Sequence, residues 1–360
     1  MTAGVTRTTG SGGTVRTAIG RLSREGLDLQ SFRVATLAQL RRVLTVDAAF
    51  FATVDPATLL FTSAFAEAPL AAVTASFVDN EFGQRDVNKF AGLAAALDPV
   101  GTLDHATHGD RTTSARYRDV LSPLGLGDEL RVALVTGGHC WGVLCLHRET
   151  AKHGFDPAEI DLVRRLAPHL AAGLQRSITL FPPTPDTFDA TGPGIIILAD
   201  DLSLISVNPQ AEALLADIGD ADWHAPLDLP GPIYAAAAAV AGHDAERTTT
   251  PAATRLRRRR GGWITVHAST LNGMAGRQVA VVLDAADTTA VSSLVLAAHG
   301  ITPAQSRVIA LVLQGRSTTS IVTELHISAH TVQEHLGAVF DKFGIGSRRE
   351  LIAALSGRPH

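Results

Sequence analysis

Cysteine is nearly absent: Cys140 and Cys145 are the only two in 360 residues. A separation of five along what reads as one strand sends them to opposite faces, which excludes a disulfide between them and fits a reducing compartment. Lysine is almost as scarce, with Lys89, Lys152 and Lys342 the only ones among 31 basic residues. An excess of positive charge is missing too: 31 basic against 35 acidic residues give a net charge of −4, so any hold on nucleic acid must be local, not bulk attraction. No apolar run approaches the roughly 18 to 20 residues of a membrane helix, and the polar start Met1–Arg7 carries no apolar signal core. A cytoplasmic protein without membrane contact is expected. There is no nucleophile elbow, phosphate-binding glycine loop or helical metal-ligand pair, so neither an enzyme nor a resident cofactor or metal is expected.

What is present is an ordinary globular composition, 46% hydrophobic and 18% charged. At roughly 150 residues per domain the length predicts two or three domains, and the patterns below predict an α+β multidomain chain. Residues 1–27, Thr- and Gly-rich at their start, are expected to be a mobile arm. Then come a helical pattern (Phe32, Leu37, Leu40, Val43, Leu44), an apolar stretch at 48–54, a turn at Asp55-Pro56 and an apolar return at 59–63. A hairpin at 130–135 and 140–147 turns through Gly137-Gly138, and a long helix buries Ile160, Leu162, Val163, Leu166, Leu170 and Leu174. This order resembles a GAF-like α/β sensor domain over residues 28–178.

Proline density at Phe181-Pro-Pro-Thr-Pro-Asp186 predicts a linker over 179–187. Beyond it lie a hairpin at 194–207, a helix headed by Asn208-Pro209 and a second hairpin built from 262–267 and 278–283 around Asn272-Gly273. Together they resemble a PAS-like α/β domain over 188–286, with a linker helix at 287–299. Asp200-Asp201 imitates the acidic pair of a phospho-acceptor receiver, but no strand-end acceptor Asp follows, and no lysine lies between Lys152 and Lys342.

The last 60 residues carry the densest signals. Thr302 and Gln305 form a capping box around Pro303 at the first helical position, and Gly315 stops that helix. Ser317 or Thr318 caps a second helix holding Ile321, and Ser328 caps a third that buries Val332, Leu336, Val339 and Phe340 before Gly344. Ser347 and Glu350 open a fourth. Thr302-Pro303, Gln314-Gly315, Ile327-Ser328, Thr331-Val332, His335, Lys342, Ser347-Arg348 and Glu350-Leu351 stand in the register of the LuxR-type (GerE-like) helix-turn-helix domain of bacterial transcription regulators. The segment resembles that family, which implies an all-α four-helix domain at 300–360.

The resemblance implies that the third helix enters the major groove of double-stranded DNA and that the fourth makes a homodimer contact, with RNA polymerase a further partner. Base readers would be His330, Gln333 and Glu334, since Gln suits adenine and Glu accepts from cytosine; Gly337 offers no side chain. Phosphate anchors would be Thr318, Ser328, Thr331, His335, Lys342, Arg348 and Arg349. Gln305 stands where the family usually has Glu, and Gln333, Glu334 and Gly337 stand where basic residues are common. The charge of 301–360 is only about +2.

A signal-responsive, sequence-specific transcription regulator is therefore the leading reading, with a small-molecule effector in either sensor domain. The competing reading is a ligand- or protein-binding signalling module whose helix-turn-helix no longer binds DNA; a third is a metal or haem sensor using Cys145 and His147. Strand alternation puts His139, Cys145 and His147 on one face and Cys140 on the other, yet His139 is about 20 Å along the strand from Cys145, and ordinary core residues are the preferred reading. The basic run at 255–260 is read as a solvated turn, and the loop holding His105, His108 and Asp110 as a solvated loop or a cover over a ligand pocket.

Overall fold

The protein is described by a computed structural model over residues 6–150, 153–179, 192–218, 229–242, 252–259, 261–273, 276–286 and 288–356. Its first unit is built on a sheet of β1 (Ala48–Val54), β2 (Phe61–Ala66), β3 (Val100–Thr102), β4 (Leu126–Thr136) and β5 (His139–Glu149), antiparallel in the order β2-β1-β5-β4-β3. Both central strands are buried along nearly their whole length because helices cover both faces. On one side lie α1 (Thr6–Leu22), α2 (Leu29–Leu40) and α6 (Pro157–Thr179). Asp28 caps α2 by accepting from the Ser31 N–H at 2.9 Å. On the other side lie α3 (Thr74–Gly83), α4 (Phe90–Ala95) and the single turn α5 (Leu103–Ala106).

Two expectations are corrected here. The arm expected to be mobile over 1–27 contains α1, whose Val15 and Ile19 are buried and which packs on α6 and α2. Thr and Gly are weak helix formers, so what holds α1 is burial of an i, i+4 pair against neighbours distant in sequence. The two cysteines do not face opposite ways either. In the β4–β5 ladder Leu134 pairs with Gly142 and the next residue, Val135, pairs with Cys140, leaving Trp141 as an extra residue. This bulge resets the alternation, so Cys140 joins Val143 and Cys145 in one core while Trp141 joins Leu144 and Leu146 in the other.

The proline-rich segment lies outside the described residues except for Thr179, the last residue of α6. The second unit contains β6 (Gly194–Ala199), β7 (Leu204–Val207), α7 (Pro209–Leu215), α8 (Gly231–Ala241), β8 (Ala253–Arg257), β9 (Trp263–Gly273) and β10 (Gly276–Ala285). Its sheet runs β7-β6-β10-β9-β8, all antiparallel. Asn208 caps α7, accepting from the Ala211 N–H at 2.9 Å. The alanine-rich α8 lies between this sheet and α3 and β2 of the first unit, so the two units share one apolar core.

Close approach there is set by glycine: a Cβ on Gly242 would sit 2.7 Å from the Gly83 Cα at the end of α3. The basic run, expected to be a solvated turn, is so only in part: Arg257 and Arg259 are exposed, whereas Arg255 and Arg258 are buried. Arg255 donates to both carboxylate oxygens of Asp55 at 2.7 and 2.6 Å and to the hydroxyl of the exposed Ser293 at 2.7 Å, and Arg258 pairs with Asp217 at 2.8 Å, the four charged groups being buried. Arg255 lies on β8, which packs on β2 of the first unit, so its charge is withdrawn from water and needs a partner.

A helix α9 (Thr288–Ala298) leads to α10 (Pro303–Leu313), α11 (Thr318–Leu325), α12 (Ala329–Phe343) and α13 (Arg348–Ser356). Their core is Val308, Ile309, Val312, Ile321, Val332, Leu336, Val339, Leu351 and Leu355. Val291, Leu294, Val295 and Ala298 of α9 join this core to α6, and Gln175 donates to the Ala298 carbonyl at 2.8 Å. Among the described residues no helix is long and apolar enough to cross a membrane.

Candidate functional site

The C-terminal helices are held at their ends by the residues that marked them in sequence. Thr302 Oγ1 accepts from the Gln305 N–H at 3.3 Å while Gln305 Oε1 accepts from the Thr302 N–H at 3.1 Å. Ser317 caps α11 through the Ser320 N–H at 3.1 Å, and His326 ends it at φ +53°. Ser328 caps α12 through the Thr331 N–H at 3.0 Å, with the two hydroxyls 2.9 Å apart. Packing of Val332, Leu336 and Val339 then fixes the rotation of α12 and leaves His330, Gln333, Glu334 and Gly337 exposed on its far side.

His330 Nε2 lies 3.4 Å from Glu334 Oε1, one turn along an exposed face, so two of the expected base readers are neighbours. Thr331 and His335 are half-buried at the edges of that face, Thr318 is half-buried at the start of α11, and Ser328 and Arg349 are exposed. Two expected phosphate anchors are engaged within the protein. Lys342 donates to the Gly300 carbonyl at 2.7 Å and to Gln305 Oε1 at 2.8 Å, tying α12 to the start of α10. Arg348 donates to the carbonyls of Arg316 and Val312, closing the exposed end of α10.

The first unit holds a second concentration of chemistry, inside the sheet. Strand register places Glu129 of β4 opposite His147 of β5, and Arg131 opposite Cys145. All four side chains are fully buried, as is Arg116. Arg116 donates from Nε to Glu129 Oε2 at 2.8 Å and reaches the Val87 carbonyl and Asn80 Oδ1. Arg131 donates to Glu81 Oε2 on α3 at 2.8 Å and to the Asn88 carbonyl at 2.9 Å, with its guanidinium 3.8 Å from the centre of the Phe90 ring. Lys89 donates to the carbonyls of Asn80 and Glu81.

Electrostatics follow from this packing. Burial raises the Glu129 carboxyl, but the flanking guanidiniums and His147 outweigh it and hold the pKa at about 2. Burial lowers His147 to about 4, so the imidazole is neutral at pH 7, and it lowers Lys89 to about 8. Burial raises the thiols, Cys140 to about 11 and Cys145 further.

Sequence reasoning singled out Cys145 and His147 but missed Glu129, Arg131 and Arg116. The readable signal was charge at alternate positions 129 and 131 of a strand otherwise rich in Leu, Val and Ala. His139 is removed from the cluster, its ring 5.8 Å from that of Trp141. In the loop, an open cleft of about 450 Å³ is lined by Asp104, Gly109, Asp110, Arg111, Thr112 and Tyr117; Asp110 borders it, whereas His105 and His108 do not.

The pattern described as "GAF domain" matches residues 28–174, and that described as "Bacterial regulatory proteins, luxR family" matches residues 299–355. No curated protein matches the chain. Among solved structures, SdiA of Escherichia coli is 10% identical with a TM-score of 0.35, covering 96% of each chain. A VqmA–ligand–DNA complex from Vibrio cholera is 18% identical with a TM-score of 0.20, covering 47% of this chain and 84% of that one. A Vibrio cholerae VqmA dimer without its target DNA is 18% identical at 0.18, covering 46% and 83%. Overlaps this low carry no argument, and the two pattern matches stand without them. The chain thus carries a GAF domain at residues 28–174 and, at residues 299–355, a domain of the luxR family of bacterial regulatory proteins.

Proposed function

We propose that the protein is a cytoplasmic, signal-responsive regulator of transcription that binds a specific duplex DNA sequence through α12. The observation that carries this is the exposed face of α12. A helix capped by Ser328 and docked by Val332, Leu336 and Val339 presents His330, Gln333 and Glu334 outward, with Thr331 and His335 at its edges. Such a helix fits the major groove, Gln333 suits adenine, Glu334 suits cytosine, and the hydroxyls at its start suit phosphate. Arg349 supplies phosphate contact from α13; Lys342 and Arg348 act mainly to hold α10 and α12 in place.

With so little positive charge, a single copy has a weak hold, and a homodimer reading two half-sites about 10 bp apart doubles the footprint. The second unit is read as a PAS-like sensor beside the GAF domain. The packing of α6 on α9 gives a change in the sensor part a physical route to the helix-turn-helix, where effector binding would shift the populations of dimer geometries. RNA polymerase would be the partner that reads the outcome.

The internal engagement of Lys342 and Arg348 favours one competing reading, a signalling module whose helix-turn-helix has lost DNA. Selection of random duplexes on the full chain, followed by titration of the best sequence at two salt concentrations, separates them. The regulator gives an inverted-repeat consensus bound in a salt-sensitive way. Gln333→Ala then relaxes preference at one base pair by roughly 1–3 kcal/mol, and Arg349→Ala weakens all sequences alike. No enrichment by the full chain or by residues 290–360 supports the module instead.

A further inference from the structure

We propose that Glu129, Cys145 and His147 form a binding site for one thiophilic divalent cation of the zinc class, inside the GAF domain. One ligand atom from each, a carboxylate oxygen, a thiol sulfur and an imidazole nitrogen, all lie within 4.8 Å of one another. The backbone brings them there: Glu129 is the register partner of His147, and Cys145 precedes His147 by two on the same strand face. Nδ1 and Nε2 of His147 and Oε1 of Glu129 are buried without a hydrogen-bond partner. His147 Nε2 and Glu129 Oε1 stand 3.9 Å apart, too far to bond one another. An ion about 2 Å from each in tetrahedral geometry would draw the two about half an ångström closer together.

Buried groups left so are costly unless something completes them. A water molecule could serve the imidazole and the carboxylate; an ion would in addition take the sulfur, which faces the Arg131 guanidinium. An oxygen, a nitrogen and a sulfur donor together suit zinc, and three protein ligands leave a fourth position open. Arg116 holds Oε2 of Glu129 at 2.8 Å and leaves Oε1 facing Arg131 Nε at 3.5 Å and His147 Nε2 at 3.9 Å. On binding, the Cys145 S–H proton leaves to solvent as the sulfur–metal bond forms, with no redox change.

This inference deepens the regulator reading, since the site would be where such a regulator takes its signal, but binding is measured without DNA, so the two can fail separately. The full chain, freed of metal by a chelator, is titrated with Co²⁺ as a spectroscopic probe and then with Zn²⁺. One equivalent of cobalt is expected to produce a thiolate-to-metal charge-transfer band in the near ultraviolet, displaced by zinc. Cys140→Ser keeps the band, Cys145→Ser abolishes it, and His147→Gln weakens cobalt binding at least about tenfold. No band, a band that survives Cys145→Ser, or one lost only with Cys140→Ser overturns the proposal. Should Cys145→Ser not fold, alkylation of the wild-type chain in partial denaturant, mapped by peptide mass, decides: zinc must protect Cys145 more than Cys140, and equal protection of the two, or none, overturns the site.

Discussion

Two antiparallel sheets of this chain share one strand order and bury opposite kinds of side chain. In the GAF domain the order β2-β1-β5-β4-β3 surrounds a charged interior, with Glu129, Arg131, Cys145 and His147 on the face beneath α3 and α4. In the second unit the equivalent order β7-β6-β10-β9-β8 presents Ile196, Leu198, Ile264, Val266, Val279 and Val281, closed by a helix whose centre is a run of alanines. Its small side chains pack against β9 and β10 on one side and against α3 and β2 on the other. Strand order therefore does not decide what a sheet buries; the side chains on the covered face do.

The largest expected effect comes from breaking the charged interior. Arg131→Met strands Glu81 and weakens the compensation of Glu129, both buried, and should lower unfolding free energy by about 3–5 kcal/mol. Val279→Ala in the second sheet removes only apolar volume and should cost less, in the range of about 1–3 kcal/mol. Denaturant unfolding of the two variants compares the sheets directly, and equal losses would show that the polar interior contributes nothing special.

Next in size is a pH effect. Lys89 sits at about 8 in the folded chain against 10.5 when solvated, because burial penalises its charge. A folded value below the unfolded one means that the unfolded chain keeps the proton to higher pH. Stability therefore rises between pH 8 and 10.5, by an amount on the order of 3 kcal/mol, and that gain is absent at pH 7. The quantity to measure is the difference in unfolding free energy between wild type and Lys89→Met from pH 7 to pH 10.5. A difference independent of pH would place the Lys89 charge in water.

The packing of α8 against α3 gives a smaller effect. A methyl on Gly242 meets the Gly83 backbone at 2.7 Å, so Gly242→Ala should loosen the contact between the two units at a cost of about 1–3 kcal/mol. Limited proteolysis should then cut between the units faster, while Gly92→Ala, with open space around its Cβ position, should leave cleavage unchanged.

What was legible in sequence was whatever short-range chemistry controls. Thr302, Ser317, Ser328 and Ser347 announced their helices because a cap is a contact three residues away. α1 was not legible, since Val15 and Ile19 gain their stability from α6, more than a hundred residues on. The direction of Cys140 was hidden by a bulge at Trp141, which only the partner strand reveals. Arg255 read as solvent-facing because its partner Asp55 belongs to a different unit. The buried cluster fell between these cases: Cys145 and His147 were visible as a pair, whereas Glu129 reaches them only through register and Arg116 only through the fold.

The smallest effect tests the region where sequence and structure agree most closely. Ser328→Ala removes the acceptor for the Thr331 N–H and the partner of the Thr331 hydroxyl at the start of α12, and should cost about 1 kcal/mol. Because Leu336 and Val339 bury the later turns of α12 in the core it shares with α10 and α13, the loss should stay in the first turn. Hydrogen exchange should quicken at residues 329–332 and remain unchanged at 336–343. If exchange quickens along all of α12, the helix depends on its cap and not on its apolar face. The C-terminal unit would then share with the charged sheet a reliance on polar contacts that its core composition does not suggest.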